Sequence, residues 1–238
     1  MIKRALIGSP LLIEQTKGHS FNLDTVLLAK FLKFSTKIKN VLDVGTGNGA
    51  LLIYASELTK AKLMGIEFQD IRYNLAISNM KLNHLEDRSE IVLGDYLTQT
   101  YHHLDCIISN PPFFNTPEKS KLSQDEGSRI ARHELNLPLE DFIKKVSVDL
   151  KFGGYFYMVH RADRFTEIMR LLDRYQLVVK RLKFVHPYMD KPANHVLIQC
   201  IKQGGQSLIL EPPLIIYKDK HEYTKAFEDY IGGKIDVT

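Results

Sequence analysis

Cysteine is scarce: the 238 residues hold two, too few for a disulfide framework. Cys106 and Cys200 each sit inside an apolar, strand-like run, as buried small hydrophobes do. No apolar run approaches the roughly 18 residues of a membrane span, and the opening segment lacks a signal-peptide pattern, so a cytoplasmic location is expected. No internal repeat or low-complexity tract argues for a solenoid or a linker. Nine histidines occur without an H-E-x-x-H pattern or a paired cysteine motif, so no metal is expected. What is present is ordinary in amount: 44% hydrophobic and 25% charged residues, enough for a sizeable core in one domain. The net charge of +4 is compatible with a polyanionic partner without requiring one. Basic residues gather near the start (Lys3, Arg4, Lys17, Lys30, Lys33) and again late (Lys180, Arg181, Lys183, Lys191, Lys202). A basic surface results only if the two groups share a face.

The order of elements carries more. Residues 5–14 alternate around Gly8-Ser9-Pro10, which predicts a small hairpin, and Asn22 or Asp24 can cap a helix over 23–34. From residue 40 the pattern becomes strand, turn, helix, repeated: strands over 41–44, 62–67, 89–93 and 104–109, with helices over 50–59 and 69–82. A long polar segment follows over 115–137, then a helix over 139–150, a turn at Gly153-Gly154 and a strand over 155–159. A helix over 165–175 and extended runs over 177–185, 195–201 and 207–217 complete the chain. Alternation of this kind predicts a mostly parallel sheet covered by helices on both faces. Ligands of such sheets bind beyond the carboxyl ends of the strands.

Unusual residues stand at those ends. Asp43-x-Gly45-x-Gly47-x-Gly49 lets the backbone turn sharply and a ligand approach closely. Its spacing departs from the G-x-G-x-x-G of dinucleotide enzymes and better suits a ligand without phosphates. Glu67 closes the second strand, where a carboxylate accepts from both ribose hydroxyls of an adenosine. Asp95 closes the third and is placed to accept from an adenine amino group. Ser109-Asn110-Pro111-Pro112-Phe113 ends the fourth. Two prolines stop the strand and hold an amide, a carbonyl and a ring in fixed relation. Each of these residues also has a plain structural alternative, as a strand end or a solvated turn.

At this point the chain resembles the class I S-adenosylmethionine-dependent methyltransferases, and among them the Asn-Pro-Pro-aromatic amino-methylating group. Within that group it is most similar to the bacterial enzymes that N6-methylate adenine 37 of valine tRNA. The likeness runs from Gln15 to about Ile201. It rests on Lys17-Gly18-His19-Ser20-Phe21 with Leu23-Asp24, Asp43 to Gly49, Asn110 to Phe113, Ala131-Arg132-His133-Glu134 and Lys191-Pro192-Ala193. The resemblance implies a Rossmann-like α/β fold with a seven-stranded mostly parallel sheet, and an extension over residues 1–39 packed on a core over 40–238. It implies S-adenosyl-L-methionine as cofactor, held by Lys17, His19, Phe21, Asp24, Asp43, Gly45, Thr46, Gly47, Asn48, Gly49, Glu67, Phe68, Asp95, Tyr96 and Asn110. Asn110, Pro111 and Phe113 would carry the chemistry, with Pro112, Phe113, Arg132, His133, Lys3, Arg4, Lys33 and Lys191 toward the RNA. The partner would be the anticodon loop of tRNA, bound by a monomer or a homodimer. Other planar acceptors remain open on the same chemistry: ribosomal RNA guanine N2 or adenine N6, or a protein glutamine. So does a non-catalytic RNA-binding module.

Overall fold

The computed structural model describes residues 2–16, 21–111, 138–220 and 222–232. Along its central strands apolar side chains alternate between two faces, and that period of two sets the layers. Val41, Cys106, Ile108, Tyr157, Val159 and Leu197 join one core cluster, with residues of four helices, α1 (Leu23–Phe31), α2 (Ala50–Leu58), α3 (Asp70–Leu82) and the last helix (Lys225–Ile231). Leu42, Ile107, Phe156, Met158, Val196 and Ile198 join the other, with residues of α4 (Leu139–Asp149) and α5 (Phe165–Arg174). Cys106 and Cys200 fall in different clusters, both buried and free.

Two short strands, β1 (Ile2–Ala5) and β2 (Leu12–Gln15), form the expected N-terminal hairpin. The main sheet comprises β3 (Asn40–Val44), β4 (Lys62–Glu67), β5 (Ser89–Leu93), β6 (Leu104–Ser109), β7 (Leu150–Arg161), β8 (Leu177–His186) and β9 (His195–Lys202). Its order is β8-β9-β7-β6-β3-β4-β5. The strands β3 to β7 pair in parallel, and β9 lies antiparallel to both its neighbours. From β3 the chain builds outward through β4 and β5, then crosses to lay β6 on the other side of β3. The topological switch therefore lies between β3 and β6, where a ligand crevice opens above the strand ends.

Three details depart from the sequence expectations. Two extra strands of two residues, β10 (Ile209–Leu210) and β11 (Leu214–Ile215), pair in parallel with β8 and bring the sheet to nine. They are one edge segment broken at Pro212-Pro213, which have no amide hydrogens to donate. Gly153-Gly154 does not end a turn; it lies inside β7, which begins at Leu150. Gly153 takes a φ of 72°, and the register against β6 shifts nearby, as at a bulge. A side chain on Gly154 would stand 2.9 Å from the Leu104 carbonyl. Finally, the first helix ends at Phe31, short of residue 34. After Tyr217–Asp219 (β12) and Glu222–Tyr223 (β13) the described chain closes with α6 (Lys225–Ile231).

The N-terminal residues are tied to the sheet domain through backbone atoms. The Asn83 side chain accepts from the Leu12 amide and donates to its carbonyl, at 2.9 and 2.8 Å. Asn79, fully buried, does the same for Glu14 and also donates to the Asn48 carbonyl at 2.9 Å. One side chain thus joins β2 to the glycine turn. Among the described residues no helix is long and apolar enough to cross a membrane.

Candidate active site

The glycine turn after β3 is built from three left-handed residues, with φ of 72° at Gly45, 58° at Gly47 and 84° at Gly49. Only glycine takes such values without strain. Around Gly45 and Gly47 a β-carbon would meet nothing within 4 Å, so the backbone borders open space. At Gly49 it would meet the Met80 methyl at 2.9 Å, a flexible end that can move aside, so it is the φ that calls for glycine there. The turn's amides are largely spent inside the protein. Those of Gly45 and Thr46 donate to the Ile66 carbonyl, that of Gly47 to Glu67, and that of Gly49 to the Thr46 carbonyl. A loop with its donors so engaged is a poor phosphate cradle and a good wall for an uncharged or cationic ligand.

Asp43 lies beneath the turn, 1% exposed, accepting from the Thr46 hydroxyl at 2.8 Å. Burial, reinforced by the nearby charge of Glu67 and opposed by the Thr46 hydrogen bond, pushes its carboxyl up to about 7. Glu67 reaches across from β4: one oxygen takes the Gly47 amide at 2.8 Å, the other the Phe68 and Gln69 amides at 3.0 and 2.9 Å. Three of a carboxylate's roughly four acceptor positions are therefore held by backbone. A diol bound here would have to share Glu67 with the turn. Phe68 follows it, 46% exposed on the rim. Asp95 after β5 caps a short turn through the Leu97 amide at 2.9 Å. Its neighbour Tyr96 points elsewhere: the ring is buried against Phe142 and Tyr101, leaving only its backbone near the rim.

Asn110 ends β6, across the switch from the glycine turn. Its side-chain NH2 donates to Asn22 Oδ1 at 3.1 Å and to Thr25 Oγ1 at 3.0 Å, both at the start of α1. Asn22 is the helix cap, accepting from the Thr25 amide at 3.1 Å. Its own NH2 donates to Asp24 Oδ2 at 2.9 Å, and Asp24 Oδ1 lies 3.1 Å from His195 Nε2 at the start of β9. Asp24, expected at the cofactor, stands behind Asn22, 8% exposed. Burial raises its carboxyl, against the pull of His195. Pro111 is buried beside Asn110. Lys17, His19, Pro112, Phe113, Arg132 and His133 lie outside the described residues, as does the polar segment over 115–137.

The basic residues separate. Arg4 sits over the Phe21 ring at 5.3 Å, next to the Asn22 cap, and Lys191 is exposed in the β8–β9 connection that leads to His195. Lys3 is exposed on the same hairpin as Arg4. Lys33 is exposed just beyond the far end of α1, about 15 Å along the helix from Asn22. Of the late group, Arg181 and Lys183 are buried against Glu211, and Lys202 donates to Ser147 and to the Tyr175 carbonyl. Arg181 and Lys183 tie β8 to the edge segment at Glu211 and Pro212 and so offer no basic surface. Asn22, Thr25, His195 and Asn79 were not anticipated as site-shaping residues. The only sequence sign of the first two was a helix cap.

A parallel sheet of this order, with a glycine turn, acidic strand ends and an Asn-Pro corner on one rim, defines the class I S-adenosylmethionine-dependent methyltransferase fold. Solved structures agree on the fold. A predicted O-methyltransferase from Agrobacterium tumefaciens matches with a TM-score of 0.67 at 21% identity, over 89% of this chain and 98% of that one. Geranyl diphosphate methyltransferase in complex with SAM matches at 0.58 and 13% identity, over 76% and 84%. More specifically, the methyltransferase small domain family matches residues 19–185, and the chain belongs to it. Relatives named tRNA1(Val) (adenine(37)-N6)-methyltransferase include one from Porphyromonas gingivalis, 34% identical over 67% of this chain and 64% of its own length. Others come from Bacteroides thetaiotaomicron (31%, over 79% of each chain) and Vibrio cholerae (27%, over 90% and 87%). The chain thus spans 64% of the length of the Porphyromonas relative. The described residues fit the family's S-adenosylmethionine: open space beside Gly45 and Gly47, no free phosphate cradle, and carboxylates at two neighbouring strand ends.

Proposed function

We propose that this protein transfers a methyl group from S-adenosylmethionine to the exocyclic N6 of adenine 37 in the anticodon loop of valine tRNA, in the cytoplasm. The observation that carries the chemistry is the Asn110 amide, held at the end of β6 opposite the glycine turn with its NH2 engaged by Asn22 and Thr25. The substrate is supported by the shared name of the relatives. We read residues 1–39 as an extension of one catalytic unit whose core runs over 40–238.

The acceptor nitrogen is a poor nucleophile because its lone pair is delocalised into the purine ring. When bound, S-adenosylmethionine supplies an electrophilic methyl group on a sulfonium. The protein's task is to make the amine reactive and to hold it still. Asn110 Oδ1 and the Pro111 carbonyl accept the two amine hydrogens, favour a pyramidal nitrogen and stabilise the positive charge that grows on it. Preorganised acceptors of this kind need no reorganisation at the moment of reaction. No base is required beforehand, since the proton leaves after transfer. The base must leave its stack to enter, at a cost of a few kcal/mol that is least in a loop. Stacking on Phe113 offsets this by about 1–3 kcal/mol. Arg132, His133, Arg4 and Lys191 contact the RNA around it.

The test is mass spectrometry of tRNA nucleosides from a deletion strain, with labelled methyl transfer by purified protein onto that strain's tRNA. Loss of N6-methyladenosine from valine tRNA, restored by the protein in vitro, is expected. Unchanged N6-methyladenosine overturns the substrate. Transfer to ribosomal RNA or to a protein glutamine instead would redirect the chemistry.

A further inference from the structure

An asparagine oxygen and nitrogen are nearly the same size, so something must decide which end of the Asn110 amide faces the acceptor. The decision is traceable to groups whose roles are fixed. The Thr25 backbone N–H is only a donor, and it points at Asn22 Oδ1 at 3.1 Å. An ionised Asp24 is only an acceptor, and Asn22 Nδ2 lies 2.9 Å from its Oδ2. Both contacts orient the Asn22 amide the same way, oxygen toward Thr25 and Asn110. Asn110 must then present its NH2 to that oxygen at 3.1 Å. The Thr25 hydroxyl completes the arrangement: it lies 3.2 Å from Asn22 Oδ1, to which it donates, and so turns a lone pair toward Asn110 Nδ2 at 3.0 Å. With its NH2 held by these two acceptors, Asn110 turns its Oδ1 away from α1. His195 Nε2, 3.1 Å from Asp24 Oδ1, anchors the far end of the chain on β9.

We propose that Thr25 and Asn22, backed by Asp24 and His195, are positioning residues that hold the Asn110 amide with its oxygen presented to the amine to be methylated. None of them touches the reacting atoms in this scheme. The N-terminal segment thereby reaches 85 residues along the chain to complete the site. The cap does two jobs at once, starting α1 and orienting the side chain of a different strand. The proposal rests on Asn110 being the amine acceptor.

The test separates the two readings. Thr25→Val keeps size and branching and removes only the hydroxyl. In 15N-labelled protein the Asn110 side-chain NH2 pair, identified by its loss in Asn110→Ala, is expected to shift and to exchange faster with solvent in Thr25→Val. Thr25→Ser returns the hydroxyl and should recover the wild-type position. This readout needs no substrate. With S-adenosylmethionine and tRNA from the deletion strain, Thr25→Val is expected to lower kcat about tenfold, the effect of one lost orienting hydrogen bond. KM for either substrate and the melting temperature should change little. An Asn110 pair that keeps its position in Thr25→Val overturns the proposal, as does an unchanged kcat. A loss shared equally by kcat, KM and melting temperature also overturns it, in favour of a structural role. If Asn110→Ala itself turns over normally, the reading of Asn110 fails first, and the positioning role fails with it.

Discussion

Asp43 is the residue whose chemistry is most altered by the fold. Its unfolded carboxyl titrates near 3.9, and in the folded protein burial lifts it to about 7. The raised value fixes the sign. Between those limits the folded state holds a proton that the unfolded state has lost, so the contribution is full below about pH 4 and vanishes as pH rises through 7. A shift of this size corresponds to about 4 kcal/mol. His160, buried at the end of β7, works in the opposite direction. Burial, with the neighbouring Arg164 charge, lowers its ring to about 4, so it adds stability as pH rises from there toward 6.5. The comparison must therefore be variant against wild type. Asp43→Asn is expected to become more stable relative to wild type as pH rises from 4 to 7, read from urea midpoints; parallel curves would refute the buried-acid account. Asp43 was legible as an acid at a strand end before a glycine turn, the place where a ligand of such a sheet is expected. Its protonation was not, since burial is set by Thr46, Glu67 and the sheet around it. Nor could the sequence show that Tyr96 turns into the core while its neighbour Asp95 stays on the rim.

At the scale of elements, the alternating apolar pattern made the parallel strands and most helix limits readable, because strand and helix periods differ and buried runs are short. The order of strands is another matter. That β9 slips between β7 and β8 depends on which hairpin closes onto the sheet, and no local pattern records it. The same holds for Arg88, an unremarkable arginine in sequence. It donates to the carbonyls of Ser56, Thr59 and Ala61 at 3.0 Å each, capping the carboxyl end of α2, which has no basic residue in its last turn. Arginine there satisfies exposed helix carbonyls and complements the helix dipole. Removing it leaves several acceptors to find water at a partly buried helix end. Arg88→Ala is expected to cost about 2 kcal/mol in denaturant unfolding. Because α2 begins at the glycine turn, Arg88→Ala should also loosen the binding of S-adenosylhomocysteine, measured by calorimetry. A loss within 0.5 kcal/mol, the ordinary range for a surface substitution, would show that the cap is replaceable by water.

For the whole molecule the question is where the RNA lies, and here the sequence was least informative. Two basic groups in the chain do not say whether they share a face. Folding answers for part of them: Arg181 and Lys183 turn inward to Glu211, and Lys33 ends up a helix length from the Asn22 end of α1, where Arg4 lies over Phe21; Lys191 is exposed in the connection that leads to His195. Phosphate contacts release counterions, so each contributes roughly 0.7–0.9 to the slope of log affinity against log salt. Replacing Arg4 and Lys191 together by Gln is expected to weaken tRNA binding and to flatten that slope by about 1.5, if each meets one phosphate. The pair Lys3 and Lys33 should change it less, because Lys33 can reach only RNA that extends past the loop along α1. Filter binding between 50 and 200 mM salt would measure both, a range over which phosphate-driven binding changes steeply. Equal slopes for wild type and the Arg4/Lys191 variant would move the RNA off these two residues, and a larger effect from Lys3 and Lys33 would lay it along α1 instead.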